Sequence, residues 1–495
     1  MSLINISNLT FAYEGSYDPI FTDVSFQIDT DWKLGFCGRN GRGKTTFLKL
    51  LMGQYEYSGT ISASADFEYF PFAVDDPSQA TGDILAVIAP KAEIWEIQRE
   101  FSKLAMGEAV LSRPFETLSN GEQTKALLAG LFLRENAFLL IDEPTNHLDM
   151  AARETVARYL NRKTGFILVS HDRAFLDNCV DHVLSINRTT IEIQSGNFSS
   201  WFRNKELQDE YELAENERLK KDITRLTTTV REKAAWSSKA EDRKIGFDPR
   251  KTEKTIGRRA QEGAKSKSMM KRAKAIEGRQ NTAIAEKSKL LNNIETAEEL
   301  KIHPLPYHNS RLLSLDNIGI SYGGREVVRD LSFTLEQGER LALVGGNGSG
   351  KSSILKLICG EDIPHTGQVS IGSRLLISYV PQDASCLTGD LRAYAKQHQI
   401  DETLFKAILR KLDFSRTHFE KNMGDYSAGQ KKKVLLARSL CQEAHVYVWD
   451  EPLNYIDVLS RVQIEELIIA YQPTMLFVEH DRAFCDTVAT EVLAL

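Results

Sequence analysis

Apolar residues near the two ends of the chain fall in short runs that are separated by polar and glycine-rich segments. Residues 3–28 alternate between apolar and polar side chains, a pattern typical of strands with one buried face. Later runs such as Ala137–Ile141 are continuous and of strand length, as expected for parallel strands buried on both faces. All are much shorter than the roughly 18 apolar residues that a membrane-spanning helix requires. These segments therefore predict α/β domains that do not form a membrane channel.

The middle of the chain has a helical apolar pattern instead. Apolar residues first recur at spacings of four, three and four, and later at every seventh position. The first set is Leu219, Ile223, Leu226 and Val230, and the second is Met269, Ile276, Ala283, Leu290 and Ala297. Between them, Asp248 is a candidate N-cap and Pro249 suits a first helical turn. The pattern predicts two long helices that form an antiparallel coiled linker.

The chain contains the same set of short motifs twice, at a nearly constant separation. Lys44 and Lys351 lie 307 residues apart, and Ser119 and Ser427 lie 308 apart. This agreement predicts an α/β protein with two tandem copies of one domain. The predicted boundaries are 1–198 for the first domain, 199–305 for the helical linker and 306–495 for the second domain.

Charge is distributed unevenly over the 495 residues. The formal net charge is −6, whereas residues 231–279 contain 16 Lys or Arg and 7 Asp or Glu. That segment therefore carries a net charge of +9 and the remainder −15. A basic segment on an acidic protein indicates a polyanionic partner that binds locally, here near 243–250. The alternative is a solvated coil that only tethers the domains. Six cysteines without a CxxC pair indicate reduced thiols in the cytoplasm.

Two glycine-rich segments match the phosphate-binding pattern G-x-x-x-x-G-K-[ST], and each follows an apolar strand. Their glycines let successive backbone N–H groups surround phosphate oxygens at the start of a helix. The lysine adds positive charge at the β and γ phosphates, and the next hydroxyl binds Mg²⁺. The predicted ATP-binding residues here are Gly38, Asn40, Gly41, Gly43, Lys44, Thr45 and Thr46, and Gly345, Asn347, Gly348, Gly350, Lys351, Ser352 and Ser353.

Another apolar strand in each copy ends in an Asp-Glu pair, and a third is followed by a histidine. A buried parallel strand presents its last residue at the edge where α/β folds bind ligands, which places the aspartate in the Mg²⁺ shell. The glutamate then polarises the attacking water and the histidine reaches the γ-phosphate. The predicted catalytic residues are Glu143, Glu451, His171 and His480, and the metal ligands predicted from these motifs are Thr45, Asp142, Ser352 and Asp450.

The remaining motifs resemble those of the ATP-binding cassette (ABC) family. The segments 119–121 and 427–429 resemble the ABC signature, which in that family contacts nucleotide held by the opposite cassette. The resemblance implies two composite ATP hydrolase sites, one joining Lys44 to Ser427 and the other joining Lys351 to Ser119. Two tyrosines resemble the aromatic platform for adenine, although either is as consistent with a core residue. The nucleotide-binding residues added by this resemblance are Tyr13, Ser119, Gly121, Tyr322, Gln382, Ser427 and Gly429.

The first cassette departs from the family pattern at one position. Gln382 follows Pro381 in the second cassette, and the resemblance implies that it contacts Mg²⁺ and the attacking water. Aligning the prolines places Phe72 at the corresponding position of the first cassette. We therefore expect the site built on Lys44 to couple hydrolysis to motion differently or to turn over more slowly, unless an adjacent residue substitutes.

Twin cassettes, the absence of a membrane segment and a long helical linker together resemble the ABC-F translation factors over essentially the whole chain. Members bind the ribosomal E site and extend the linker toward the P-site tRNA and the peptidyl-transferase centre. Tyr455 replaces the more usual histidine of this motif, which the first cassette retains at position 147. This asymmetry and the basic linker resemble the antibiotic-resistance branch, most closely the Lsa-type proteins that protect ribosomes against lincosamides, pleuromutilins and streptogramin A.

The resemblance implies a cytoplasmic monomer in which the two cassettes pair, with ATP and Mg²⁺ as cofactors and no membrane partner. The implied partners are the bacterial 70S ribosome, the P-site tRNA and 23S rRNA. The implied RNA or drug-site tip is Lys244, Ile245 and Phe247. The nearest alternative is a housekeeping translation factor. A soluble ATPase that energises a separate exporter, and a DNA-maintenance ATPase with a coiled arm, are alternatives from other classes.

Overall fold

A computed structural model describes residues 2–14, 19–146, 148–186, 191–245 and 300–495, without the side chains of 226 and 229–245. The chain divides into two compact units, one containing residues 1–201 and 297–495 and the other residues 202–296. Both nucleotide-binding copies therefore belong to one compact unit, and most of the linker belongs to the other. Elements are numbered below along the described residues.

The first copy begins with strands and then alternates strands with helices. Its strands are β1 Leu3–Phe11, β2 Phe21–Asp29, β3 Lys33–Cys37, β4 Ser58–Ser62, β5 Asp66–Phe70, β6 Ala137–Asp142, β7 Phe166–Val169, β8 His182–Ile186 and β9 Ile191–Ser195. Its helices are α1 Lys44–Leu51, α2 Thr81–Ile88, α3 Ile94–Lys103, α4 Asn120–Leu131, α5 Met150–Asn161 and α6 Arg173–Cys179. Helix α7, Phe198–Ile245, follows.

The second copy repeats this order. Its strands are β10 Arg311–Tyr322, β11 Arg325–Glu336, β12 Arg340–Val344, β13 His365–Ile371, β14 Ile377–Val380, β15 Val446–Asp450, β16 Met475–Val478 and β17 Glu491–Ala494. Its helices are α8 Lys351–Ile358, α9 Leu391–Gln397, α10 Glu402–Lys411, α11 Ala428–Cys441, α12 Val458–Tyr471 and α13 Arg482–Val488. The prediction of two tandem α/β domains is confirmed.

Each copy contains a mainly parallel sheet that brings its catalytic motifs to one edge. The order is β5-β6-β7-β3-β8-β9 in the first copy and β14-β15-β16-β12-β17 in the second. The strands of the phosphate loop, of the Asp-Glu pair and of the histidine are therefore neighbours in both sheets. Because these strands are parallel, their carboxyl ends lie side by side, and each delivers one motif to the same crevice.

Packing explains why the strands are continuous apolar runs. In the first copy, Leu34, Phe36, Leu140 and Ile167 of three adjacent strands have relative exposures of 0% and form one core with the antiparallel strands at the start of the chain. Burial of each such side chain stabilises the fold by about 1.5–3 kcal/mol. The buried sheet therefore holds the strand ends, and the residues that follow them, in fixed positions.

Helix α7 is the described helical part of the predicted linker. It is continuous over 48 residues, as the apolar spacing in the first half of the linker predicts. The second predicted helix, its heptad residues and Phe247 lie outside the described residues. The backbone of Lys244 and Ile245 belongs to the last turn of α7, whereas their side chains lie outside the description.

The first copy also contains a buried charge cluster that supports the helices around its core. Glu100 on α3 is 1% exposed and accepts hydrogen bonds from Lys103 Nζ at 2.7 Å, Lys163 Nζ at 2.6 Å and Tyr159 Oη at 2.8 Å. Burial opposes ionisation of Glu100, but these donors outweigh it and lower its pKa to about 2. The ionised carboxylate thus joins α3 to the carboxyl end of α5.

Glu100→Ala should destabilise the first copy by about 1–3 kcal/mol, because it leaves the buried Tyr159 hydroxyl and the partly buried Lys163 ammonium without their acceptor. Urea unfolding followed by circular dichroism would measure the loss. The matched control is Glu135→Ala, whose partner Lys91 is 78% exposed and whose own side chain is 70% exposed. That pair should contribute about 1 kcal/mol or less, so equal effects of the two variants would contradict the interpretation.

The same cluster predicts a pH dependence. Because folding lowers the pKa of Glu100, its stabilising contribution is present at neutral pH and is lost as pH falls from about 4.5 toward about 2. The difference in unfolding midpoint between the natural chain and Glu100→Ala should therefore shrink over that acidic range. A difference that is independent of pH would show that the carboxylate charge is not what stabilises the cluster.

Candidate ATP sites

The last glycine of each phosphate loop turns the chain from a strand into a helix. Gly43 and Gly350 have φ values of +94° and +89° and are the N-caps of α1 and α8. A Cβ atom at these positions would lie 2.5 Å from Ile20 Cγ2 and 2.4 Å from Val328 Cγ2. Glycine is therefore required both by the left-handed backbone and by the close strand. The turn aims the free N–H groups of the helix start at the crevice, where an anion binds favourably.

The two phosphate-loop lysines are buried and folded back over their own loops. Lys44 Nζ donates to the carbonyl oxygen of Gly38 at 2.7 Å, and Lys351 Nζ donates to those of Gly345 and Gly346 at 2.9 and 2.8 Å. Burial lowers the pKa of both lysines, while nearby carboxylates favour the charged form. Each ammonium is thus held over the loop where a phosphate would lie.

The ends of β6 and α1 form a site that suits Mg²⁺ in the first copy. Thr45 Oγ1 donates to Asp142 Oδ2 at 2.9 Å, so a hydroxyl and a carboxylate converge at the loop. Mg²⁺ is bound in such sites by one or two protein oxygens together with waters and substrate phosphates. Bound there, the ion would neutralise phosphate charge, and Thr45 and Asp142 would hold it. Among the described residues there is no group of three or more His, Cys, Asp or Glu that would hold a metal unaided.

The glutamates after the two aspartates have a strained backbone. Glu143 and Glu451 have φ values of +52° and +47°, a region that non-glycine residues rarely adopt and that occurs most often at functional sites. His171 Nε2 lies 3.3 Å from Glu143 Oε1, and His480 Nε2 lies 3.5 Å from Glu451 Oε1. Each predicted catalytic pair is therefore brought together in its own copy.

The two glutamates differ in their electrostatic surroundings. Burial, reinforced by the adjacent Asp142, raises the pKa of Glu143 to about 8. Burial also opposes ionisation of Glu451, but His480, Gln382 and Lys432 outweigh it and lower its pKa to about 2. Burial and the nearby Lys44 lower the pKa of His171 well below its usual value, so its imidazole is neutral. The two copies therefore differ in charge at equivalent positions.

Both signature serines are N-caps of helices. Ser119 Oγ accepts from the backbone N–H of Glu122 at the start of α4, and Ser427 Oγ accepts from that of Gln430 at the start of α11, each at 3.3 Å. In both, the side chain three residues on accepts from the serine N–H in return. This reciprocal capping fixes the helix start and leaves its N-terminal dipole facing the neighbouring cavity.

Two large cavities are lined by residues of both copies. The first, of about 680 Å³, is lined by Ser119, Asn120, Arg153, Tyr322, Asn347, Gly348, Gly350, Lys351, Ser352, Ser353, Gln382, Glu451 and His480, among others. The second, of about 720 Å³, is lined by Asn40, Gly41, Arg42, Thr45, Glu143, His171, Asp413, Ser415, His418, Ser427, Gly429 and Tyr455, among others. They are called the Lys351 cavity and the Lys44 cavity below. Lys44 itself is buried and is not among the residues that line the second cavity.

Direct hydrogen bonds cross between the two copies beside these cavities. Asn40 Nδ2 donates to the carbonyl oxygen of Tyr455 at 2.7 Å. On the other side, the N–H of Asn347 donates to Asp149 Oδ2 at 3.4 Å. Arg153 Nη1 donates at 3.0 Å to the backbone carbonyl oxygen of His480, the predicted catalytic histidine of the opposite copy. The loop that follows each catalytic glutamate therefore contacts the phosphate loop of the other copy.

The two predicted adenine-stacking tyrosines occupy equivalent positions. The Tyr13 hydroxyl lies 2.8 Å from Thr46 Oγ1, and Tyr322 Oη donates to Ser353 Oγ at 3.0 Å. Both side chains remain more than two-fifths exposed, at 42% and 48%. Each ring is thus anchored by its hydroxyl to the first turn of a phosphate-loop helix while presenting surface to solvent.

Three residues that the motifs did not indicate, Tyr69, Asp413 and His418, also lie at the ATP sites. Tyr69 Oη donates to Asp142 Oδ2 at 2.9 Å, beside the Thr45 hydroxyl. Gln382 lines the Lys351 cavity, whereas Phe72 is not among the residues that line the Lys44 cavity. Asp413 and His418 line the Lys44 cavity, although neither belongs to a recognised motif. No sequence motif marks Tyr69, Asp413 or His418.

Two phosphate loops, each facing the signature helix of the other copy across a shared cavity, define a tandem nucleotide-binding protein of the ABC class. The family model described as "ABC transporter" matches residues 21–146 and 328–454, and the chain belongs to that family. Over nearly its whole length the chain is similar to proteins named for protecting the ribosome and for throttling translation. None of the described helices combines the length and apolar character needed to cross a membrane.

The relatives match over nearly the whole chain. Ribosome protection protein VmlR of Bacillus subtilis is 27% identical over 510 residues, which cover 100% of this chain and 86% of the relative. Energy-dependent translational throttle protein EttA of Haemophilus influenzae is 26% identical over 527 residues, which cover 96% of this chain and 88% of the relative. The fold is similar to that of archaeal ribosome recycling factor aABCE1, solved with ribosomal stalk protein aP1, with a TM-score of 0.63, 18% identity, and coverage of 98% of this chain and 87% of that one.

The contact between the copies predicts that alanine is poorly tolerated at the signature glycine Gly429. A Cβ atom at Gly429 would lie 2.6 Å from the carbonyl oxygen of Tyr455, the same oxygen that accepts from Asn40. Gly429→Ala should therefore lower the stability of the nucleotide-free chain by about 1–3 kcal/mol, as overpacking does. At Gly107, whose φ of −79° suits any residue, a Cβ atom would have no described heavy atom within 4 Å.

Gly107→Ala is the control, and it should leave the thermal unfolding midpoint of the nucleotide-free chain unchanged or slightly raised. A midpoint that falls equally in both variants would show that Gly429 is not packed against the opposite copy.

Proposed function

We propose that the chain hydrolyses ATP at two composite sites, each built from the phosphate loop of one cassette and the signature serine of the other. The observation that carries this proposal is that each cavity is lined by residues of both cassettes. Lys44 and Lys351 bind the phosphates, and Ser427 and Ser119 contact the same nucleotide from the opposite side. Tyr13 and Tyr322 support the adenine ring.

In the Lys351 site, Glu451 accepts a proton from the attacking water while Gln382 and His480 orient the water and the γ-phosphate. Mg²⁺, held by Ser352 and Asp450, supplies neutralising charge on the phosphates when it is bound. In the Lys44 site, Glu143, His171, Thr45 and Asp142 have the corresponding roles, without a glutamine in the place of Gln382. Hydrolysis would drive separation of the cassettes, because the signature helices lose the phosphate that they share with the loops.

We propose further that this ATPase binds the bacterial ribosome and protects it from antibiotics that act at the peptidyl-transferase centre. Similarity over the full chain to a ribosome protection protein and to a translational throttle protein supports a role on the ribosome. The net charge of +9 over residues 231–279 supports contacts with RNA phosphates. In this proposal the protein is cytoplasmic, enters the E site and extends its linker toward the P-site tRNA and 23S rRNA, in the manner of the Lsa-type proteins.

A housekeeping translation factor is the second candidate, and the similarity to EttA favours it. Both candidates require ribosome binding that depends on ATP, so co-sedimentation with ribosomes does not separate them. Expression in a susceptible bacterium separates them, since only the first predicts growth at raised concentrations of lincosamide, pleuromutilin or streptogramin A.

Changing Glu143 and Glu451 together to Gln should abolish turnover while preserving ATP binding. The phosphate loops and Mg²⁺ ligands hold the nucleotide, whereas general-base assistance to the water is worth about 10²–10⁴-fold in rate. The double variant should also accumulate on ribosomes when ATP is present. Phosphate release and ribosome co-sedimentation measure the two effects, with the exposed Glu135→Gln as control. Hydrolysis at the natural rate would remove both glutamates from the mechanism.

Phe247→Ala and Lys244→Ala should reduce drug resistance while leaving ATPase activity unchanged. An aromatic ring stacked on an RNA base contributes about 1–3 kcal/mol per base, and a lysine contributes through phosphate charge. Growth under drug, ribosome binding and ATP turnover should be compared for both variants. Unchanged resistance in both would contradict the role of the tip, and a parallel loss of helix content would indicate that these residues only hold the linker together.

A further inference from the structure

The two cavities differ in the segment that precedes each signature helix. Asp413, Ser415 and His418 line the Lys44 cavity. At the constant offset of 308 residues, the first cassette has Ala105, Gly107 and Val110 instead. The segments are structurally equivalent, because Ala105 and Asp413 both have left-handed φ values, +52° and +65°, and a 3₁₀ turn follows each. The described lining of the Lys351 cavity does not include the first-cassette segment.

The phosphate loops that face these segments also differ: the loop that faces the acidic segment contains two arginines, and the other loop contains none. The first loop contains Arg39 and Arg42, and the second contains Gly346 and Ser349 at the same positions. Asp413 Oδ1 lies 3.9 Å from Arg39 Nη1 and 4.0 Å from Arg42 Nη2. The side chain of Arg39 is only 8% exposed and that of Asp413 is 28% exposed, so water screens this charge cluster incompletely. An acid in one cassette thus faces two bases in the other, on one of the two sides only.

The Lys44 side also has a direct hydrogen bond between the cassettes. The Asn40 side-chain amide donates to the carbonyl oxygen of Tyr455 at 2.7 Å. Gly429 packs against that carbonyl so closely that a Cβ atom would lie 2.6 Å from it. Opening the cassettes on the Lys44 side therefore requires breaking this hydrogen bond and separating Asp413 from Arg39 and Arg42.

We propose that Asp413, together with Arg39 and Arg42, forms a clamp that makes the Lys44 site retain its nucleotide while the Lys351 site exchanges. This inference rests on the proposed binding of ATP at two composite sites. The clamp acts on cassette opening and not on the phosphates, so Asp413 is a positioning residue. Gln382 lines the exchanging site, which is consistent with assigning repeated turnover to that site.

The test measures release of a fluorescent, non-hydrolysable ATP analogue from the full chain with Mg²⁺, chased with excess unlabelled ATP. The natural chain should bind two analogues and release them in a fast and a slow phase of equal amplitude. Asp413→Asn should accelerate the slow phase by about two- to fivefold, the range expected for loss of a partly exposed charge cluster. Asp413→Glu should restore slow release. Ala105→Asp is the matched control and should change neither phase, because Gly346 and Ser349 offer it no cation.

Variants of the two phosphate-loop lysines show which ATP site gives the slow release phase and which gives the fast one. Lys44→Ala should remove the slow phase, and Lys351→Ala should remove the fast phase. Loss of the slow phase in Lys351→Ala, or an unchanged slow phase in Asp413→Asn, would overturn the clamp. Binding of two analogues with one release rate would also overturn it while leaving the proposed ATP sites intact. Failure to bind any analogue would instead contradict the proposed function, so the two failures are distinguishable.

Discussion

The contact of each phosphate loop with the other cassette is the interaction on which the rest of the site depends. On one side it is a hydrogen bond from the Asn40 amide to the backbone carbonyl of Tyr455. A single phosphate loop already supplies N–H donors and a lysine, but those groups face only one side of a γ-phosphate. Under the proposed function, the opposing helix start with its capping serine supplies the other side. Bound nucleotide and closed cassettes would then stabilise each other, and hydrolysis would be converted into movement.

The internal repeat allowed most of the architecture to be predicted from the sequence. Continuous apolar runs predicted the buried strands, and the glycine-lysine and Asp-Glu motifs predicted which residues follow those strands. Both rest on local chemistry: a phosphate loop needs glycines for its backbone, and a buried strand needs apolar side chains on both faces. The positions of Lys44, Asp142 and Glu143 could thus be anticipated without the fold.

What the sequence could not provide depends on distant segments or on backbone geometry. The replacement of histidine by Tyr455 suggested a change of side-chain chemistry, yet the atom that contacts the other cassette is its backbone carbonyl. No sequence pattern predicts the left-handed backbone of Glu143, because glutamate does not favour that conformation. The Tyr69 hydroxyl reaches Asp142 only because β5 and β6 are neighbours in the sheet, 73 residues apart in the chain. Such features appear only once the strands are ordered.

The hydrogen bond between Arg153 and the carbonyl of His480 has a thermodynamic consequence. The same guanidinium also bonds Asp172 and the carbonyl of Leu148, so it connects the histidine loop of one cassette to the loop of the other that holds Asp149. Any free energy by which nucleotide in the Lys351 site shifts this arginine must equally be the free energy by which a shift of the arginine changes nucleotide affinity. Communication between the cassettes along this path therefore has no preferred direction at equilibrium, and only irreversible hydrolysis of ATP can give the cycle an order.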